Sequence, residues 1–343
     1  MKPMPIENPP NPWASSEIEY LEEVPLAKVE VYEDASQSII ASNDSPDVGF
    51  AHSVNAYRGC NHACAYCFAR PSHEYLSFGA GTDFDTKIVV KRHAAALLRK
   101  AFDKPSWKGE LLMFSGVTDC YQPLEASLRL TRQCLEVCVE YRNPVAIITK
   151  APLIERDLDL LLELNRVASV KVAISIPIWG QALARAIEPG VATPKRRVQT
   201  IEKLAKAGLA VSVMVAPIIP GVSDEGMADV LEAARAAGAT GAGYVLLRLP
   251  GSVKEVFETR IRAALPLRAD KILHRVRETR GGALYDSRFG IRGRGEGHYA
   301  EAIGAVFRTT KRRLGYELDR WAERPDTFRR PEKAAPQLSL FTL

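Results

Sequence analysis

Short apolar runs alternate along the chain with stretches in which apolar residues return every third or fourth position. The runs Ser53 to Arg58, Glu110 to Gly116, Val145 to Thr149, Val170 to Pro177, Ala210 to Ile218 and Gly243 to Leu249 read as strands, being too short for helices and bounded by turn residues. Between them, "KRHAAALLRKAF", "LEASLRLTRQCLEVCVEY", "IERDLDLLLELNRV" and "KRRVQTIEKLAKAG" carry the helical period. Thr193 before Pro194 opens one helix and Gly208 closes it; Ser223, Asp224 and Glu225 open the helix of "GMADVLEAARAAG", which Gly238 ends. Strands that are apolar almost throughout belong to a parallel sheet covered by helices, so the expected fold class is α/β. Six βα units in place of eight predict a partial (βα)6 TIM-like barrel, with its chemistry gathered where the strands end. The expected organisation is a largely irregular N-terminal extension over 1–50, the barrel over 51–265, a basic α-helical extension over 266–325 and a flexible tail over 326–343.

Composition changes this picture little. At 343 residues, with 46% apolar and 25% charged residues, the chain buries a sizeable core. The first residues, "MKPMPIENPPNPWASSEIEY", contain no apolar signal region, and the longest apolar stretch, "GLAVSVMVAPIIPGV", is too short to span a bilayer. A cytoplasmic location and no membrane partner are the expectation. Charge adds more. The net +5 hides 18 Lys/Arg against 9 Asp/Glu between Arg260 and Arg330, an excess of nine that leaves the remainder at −4. Such a basic segment suits a polyanionic partner, or else a set of solvated helices with arginine-rich faces.

Six cysteines in a chain of this kind point to metal binding or catalysis before disulfides. Three of them, Cys60, Cys64 and Cys67, fall within "NAYRGCNHACAYCFARP", at the end of the first barrel strand. Three thiolates can hold a cubane [4Fe-4S] cluster and leave one iron open to a small molecule. A zinc site completed by His62 or His52 is the alternative. Arg58, His62 and Arg70 flank the cysteines and are candidates to tune an anionic cluster. Cys134 and Cys138 lie four apart on one helix and read as core.

The C-x3-C-x2-C spacing, with Tyr66 before the last cysteine and six βα units behind it, resembles the radical S-adenosylmethionine (SAM) superfamily. The run from about Phe50 to Leu249, with "TDCYQPLE" and "IIPGVSD", resembles its spore photoproduct lyase-like group, also called DNA repair photolyase-like. The resemblance implies the radical SAM type of partial barrel, a [4Fe-4S] cluster that binds and reductively cleaves SAM, and a cellular electron donor. It also implies a 5′-deoxyadenosyl radical that takes hydrogen from a substrate, as in a carbon–carbon lyase. By position in the group's pattern, Ser115, Gly116 and Thr118 stand where a small-residue loop meets the SAM amino group, and Lys150 and Ser175 where SAM is contacted. Glu188 and Arg197 match ribose or carboxylate ligands, and Tyr66 an adenine neighbour. In spore photoproduct lyase a cysteine that returns hydrogen to the product radical precedes the Thr/Ser-Asp pair. Here Ser115 and Gly116 stand there, and Cys120 follows Asp119 instead as the candidate catalytic thiol. For each of these single residues the plain alternative is a polar side chain at a barrel rim.

Beyond the barrel, glycines, arginines and Tyr285, Phe289 and Tyr299 offer backbone and ring faces to a nucleic acid. The tail ends in "QLSLF", whose Gln337, Leu338, Leu340 and Phe341 resemble the pentapeptide by which replication and repair proteins dock on the bacterial sliding clamp. A tail folded back on the barrel is the alternative. The expected function is radical SAM chemistry on damaged or modified DNA, delivered through the clamp. Modification of RNA or protein, or a noncatalytic metal-binding scaffold, are the competing readings.

Overall fold

The computed structural model describes residues 28–316 and 327–332; the motif residues Gln337, Leu338, Leu340 and Phe341 lie outside them. In chain order the strands are β1 (Glu30–Glu33), β2 (Ile40–Ser42), β3 (His52–Val54), β4 (Tyr57–Arg58), β5 (Lys87–Val90), β6 (Leu112–Phe114), β7 (Val145–Thr149), β8 (Val170–Ser175), β9 (Val211–Ile218) and β10 (Gly241–Leu246). Seven of them form one sheet in the order β10-β9-β8-β7-β6-β3-β2, in which β3 and β6 to β10 run parallel and β2 caps the β3 edge antiparallel. This is the expected six-unit α/β partial barrel.

The centre of the sheet is fully legible in its residues. Val145, Ile147, Val172, Ile174, Val211, Val213 and Val215 are all buried, as β-branched side chains inside a helix-covered parallel sheet should be. The covering helices include Leu130–Tyr141, whose Cys134 and Cys138 are buried core residues as expected, and Pro194–Lys206, capped by the Thr193 hydroxyl accepting from the Arg196 amide at 3.3 Å.

Two differences matter for the site. The expected strand from Ser53 to Arg58 is broken: β3 stops at Val54, and β4 belongs to a second, three-stranded sheet of order β1-β5-β4. The break falls at Asn55, whose carboxamide oxygen accepts from the amides of Gly116 (2.9 Å) and Val117 (3.0 Å), taking over where the β3–β6 ladder ends. Within the first fifty residues, expected to be irregular, β1 and β2 are present; both are short and largely exposed, so no apolar run announces them.

At the other edge, the segment after the helix Ala269–Glu278 returns to β10. The Leu246 amide donates to the Gly293 carbonyl (2.8 Å), and the same loop reaches the turn between β2 and β3, where the Gly290 amide and the Arg292 guanidinium donate to Asp47. The first and last strands of the open sheet are therefore bridged by a segment from the basic extension.

Candidate metal centre and active site

Gly59 turns the chain from β4 into the cysteine loop with φ +77°, and a Cβ there would lie 2.9 Å from the Phe84 carbonyl, so only glycine fits. The loop is then tied down from several sides. The Cys60 amide donates to Phe84 O (2.9 Å), the Ala65 amide to Ile187 O (3.0 Å), and the Gly190 amide to His62 O (3.1 Å). Gly190 approaches so closely that a Cβ would stand 2.2 Å from the Asn61 carbonyl.

Cys60 and Cys64 are buried and Cys67 half-buried. Each thiol meets a different cation. Burial raises the Cys60 thiol's pKa, but the His62 imidazolium outweighs it and the net shift is downward. Burial dominates at Cys64, opposed chiefly by Lys150, and at Cys67, opposed chiefly by Arg70. Three thiols countered by three separate cations suit an anionic centre spread over several metal ions. Among the described residues no three His, Cys, Asp or Glu side chains converge on one ion. A cubane does not require that, because each thiolate sits on its own iron. The His52 ring packs edge-on against Trp107 at 5.1 Å. His62 is engaged by Asp119 at 3.4 Å. Of the flanking basic residues, Arg58 turns away to Asp34 (3.6 Å), while Arg70 is wholly buried behind the loop.

Asp119 organises the opposite wall. Its carboxylate faces His62 and accepts from the Thr149 hydroxyl (2.6 Å) and the Lys150 amide (2.8 Å), which joins the ends of β6 and β7 to the cysteine loop. Burial would raise its pKa, but these partners, His62 foremost, hold it at about 2; burial would lower His62, but Cys60 and Asp119 lift it to about 10. The small-residue loop is stitched to the same place. Thr118 donates its hydroxyl hydrogen to Gly59 O (2.7 Å), Ser115 accepts from the Cys120 amide (3.0 Å), and Gly116 is held by Asn55.

The remaining expected residues form one cluster beside Cys64. The Tyr66 hydroxyl donates to Glu188, Arg197 donates to Glu188 (2.6 Å), to Ser175 O (2.8 Å) and to Ala192 O (3.0 Å), and the Lys150 ammonium lies 5.7 Å from the Tyr66 ring centre. Lys150 stays charged: burial acts against it, but Cys64, Glu188 and Asp119 raise its pKa. Each of the three guanidinium nitrogens of Arg197 donates to a protein acceptor, so it fixes Glu188 and the end of β8. Cys120, on the same loop as Asp119, is a buried member of the barrel core whose amide donates to Ser115, and burial raises its thiol's pKa well above the ordinary value.

Sequence reasoning missed Asn55, Asp85, Gly190 and Arg260 and undervalued Asp119. For Arg260 a signal existed. It falls on the buried stripe Val253, Val256, Phe257, Arg260, Ile261 of the helix Val253–Ala264, a charge at a core position.

Comparison with known proteins agrees with the geometry. Residues 54–234 match the radical SAM superfamily. An uncharacterized protein of Mycobacterium tuberculosis is 42% identical over 210 residues, 61% of this chain and 62% of the relative, so less than two thirds of that relative's length is matched. An uncharacterized protein of Methanocaldococcus jannaschii is 29% identical over 198 residues, covering 58% of this chain and 71% of the relative. In fold, the chain is similar to a spore photoproduct lyase double mutant with bound AdoMet and dinucleoside spore photoproduct, with TM-score 0.58 and 16% identity over 83% of this chain and 78% of that one. The same lyase complexed with dinucleoside spore photoproduct gives a TM-score of 0.57. With a partial barrel, a three-cysteine loop at its strand ends and a family match over more than half its length, the chain belongs to the radical SAM superfamily, a family whose members use a [4Fe-4S] cluster and SAM.

Proposed function

We propose that this radical SAM enzyme acts on damaged or modified DNA in a lyase-type repair reaction, and that Gln337, Leu338, Leu340 and Phe341 deliver it to the bacterial sliding clamp. The observation that supports the substrate class is Phe68, which follows Cys67 directly and is 52% exposed, with the Arg248 guanidinium 5.6 Å from its ring centre. A second exposed ring, Phe289, carries Arg292 at 4.3 Å on the loop that closes the barrel edge. An exposed aromatic ring beside the cysteine loop with a guanidinium at its face suits an unstacked base and its phosphate. A base splayed from a duplex would reach such a rim more cheaply where it is already damaged. Similarity in fold to a lyase solved with a dinucleoside photoproduct points the same way.

In this reading Cys60, Cys64 and Cys67 hold the cluster, and its fit is supported by charge. His62, Lys150, Arg197, Arg70 and Arg260 face only Asp119, Glu188 and Asp85 as buried or nearly buried carboxylates, leaving a surplus of two positive charges for an anionic guest. The cluster, when bound, supplies one-electron reductive cleavage of SAM and the hydrogen-atom abstraction that follows from it. Lys150 and Ser175 lie at the strand ends where the SAM carboxylate and ribose would be placed, and Ser115, Gly116 and Thr118 shape the wall for its amino group. Tyr66 and the Glu188–Arg197 pair keep that wall dry and rigid. Burial keeps Cys120 a neutral thiol, the form needed to return a hydrogen atom to a substrate radical. The reductant is a cellular electron donor.

The test is anaerobic turnover of cluster-loaded, reduced protein with SAM, counting 5′-deoxyadenosine formed with ultraviolet-irradiated and with undamaged DNA. Formation that rises only with irradiated DNA is expected; equal yields on both would overturn the repair reading in favour of RNA or protein as substrate. Deleting residues 337–341 should abolish retention on immobilised clamp and leave 5′-deoxyadenosine formation unchanged.

A further inference from the structure

Behind the cysteine loop lies a buried charge cluster that none of the expected SAM contacts uses. Arg70 donates from Nη1 to Ala80 O and Gly81 O and from Nη2 to Cys64 O and Asp85, each at 2.8 Å. Arg260 donates to the Ala63 carbonyl (2.6 Å) and to the other oxygen of Asp85. Arg70 is 0% exposed, Asp85 1% and Arg260 6%. Arg260 lies far along the chain on the helix Val253–Ala264, beyond the family match, which ends at residue 234.

Two guanidinium groups share one carboxylate, and their remaining acceptors are neutral carbonyls. One positive charge is left over in a site sealed from water. An uncompensated buried charge is strongly destabilising, so a buried arginine on an apolar helix stripe calls for an anion nearby. The Nε atoms of both arginines are also buried without a hydrogen-bond partner among the described residues. The carbonyls these arginines hold, Ala63 and Cys64, belong to the loop whose thiolates carry the cluster. The missing anion is therefore on the loop side.

We infer that Arg260, acting through Asp85 and Arg70, is a positioning residue for the cluster: it pins the cysteine loop by its carbonyls and sets a positive charge behind it that favours the reduced state. The direction follows from charge alone. Reduction adds a negative charge to the cluster, so a fixed cation behind it raises the potential, and in a dry site the effect is not screened away. The C-terminal part of the chain is thereby linked to the redox step without touching SAM or substrate.

The test compares wild type with Arg260→Gln, Arg260→Lys and the exposed control Arg262→Gln, two residues along on the same helix and paired, among the described residues, with Glu258 and Asp270. Each protein is loaded anaerobically. The midpoint potential is read by redox-poised EPR, and the rate of iron loss to a chelator is followed by absorbance. Arg260→Gln should move the potential to more negative values and release iron about tenfold faster, the scale on which residues supporting metal ligands act. Arg260→Lys, which keeps the charge and loses the forked bond, should hold a potential near wild type but release iron faster. Arg262→Gln should match wild type in both. A wild-type potential in Arg260→Gln, or an equal shift in Arg262→Gln, overturns the inference. If Arg260→Gln takes up no cluster, Arg260→Lys decides: faster iron release at a near-native potential supports the inference, and wild-type release contradicts it.

Discussion

Asp119 and His73 show how single buried groups serve this site in opposite charge states. Asp119 is held ionised at about 2 by His62 and by hydrogen bonds from Thr149 and Lys150. His73 is held neutral: burial lowers its pKa to about 4, while its Nε2–H donates to Lys87 O at 2.8 Å and Nδ1 has no partner among the described residues. Because the folded value lies below the ordinary 6.5, the unfolded chain takes up a proton first as pH falls. The contribution of this residue is thus complete above pH 6.5 and is lost down to pH 4, up to about 3 kcal/mol. Urea unfolding of the metal-free protein across that range should therefore show a steeper acid loss in wild type than in His73→Gln; identical slopes would contradict a neutral buried imidazole. At this scale the three cysteines were legible because their spacing is local. Asp85 and Arg260 were not, since 175 residues separate them and only the fold brings them together.

Among elements, the cysteine loop has little regular structure of its own and takes its shape from neighbours. The segment that follows the helix Gln181–Ile187 is one of them, and Gly190 is where it touches. A Cβ 2.2 Å from Asn61 O cannot be absorbed by rotating a flexible side chain, because the obstacle is backbone. Gly190→Ala should cost about 1–3 kcal/mol in thermal denaturation of the metal-free protein and lower iron uptake per chain; native values of both would show that the approach is looser. The strands β7 to β9 could be read because continuous apolar residues announce them, whereas the last strand, expected from Gly243 to Leu249, runs from Gly241 to Leu246. The strand from Ser53 to Arg58 was overextended because Asn55, an unremarkable polar residue, ends the ladder by taking the next two amides itself. β1 and β2 could not be read at all, since their pairing partners decide them and their own residues are exposed.

For the whole molecule, the basic extension proves to be partly internal architecture. Arg280 donates to the carbonyls of Leu247, Ile291 and Arg292, and Arg292 pairs with Asp47 across the sheet edges, as Arg260 just before the extension holds the Ala63 carbonyl. Composition alone cannot separate such arginines from ones that face a polyanion, which is why the charge excess overstated a free basic surface. The barrel, by contrast, was visible from periodicity, and three cysteines at its strand ends mark the candidate metal centre. EPR of the anaerobically loaded, reduced protein, with and without SAM, bears most directly on that centre. Wild type should give the signal of a reduced [4Fe-4S] cluster that changes shape when SAM is added, and Cys67→Ala should give none. Protein that binds zinc and no iron, or a cluster signal indifferent to SAM, would contradict an open-iron radical SAM site.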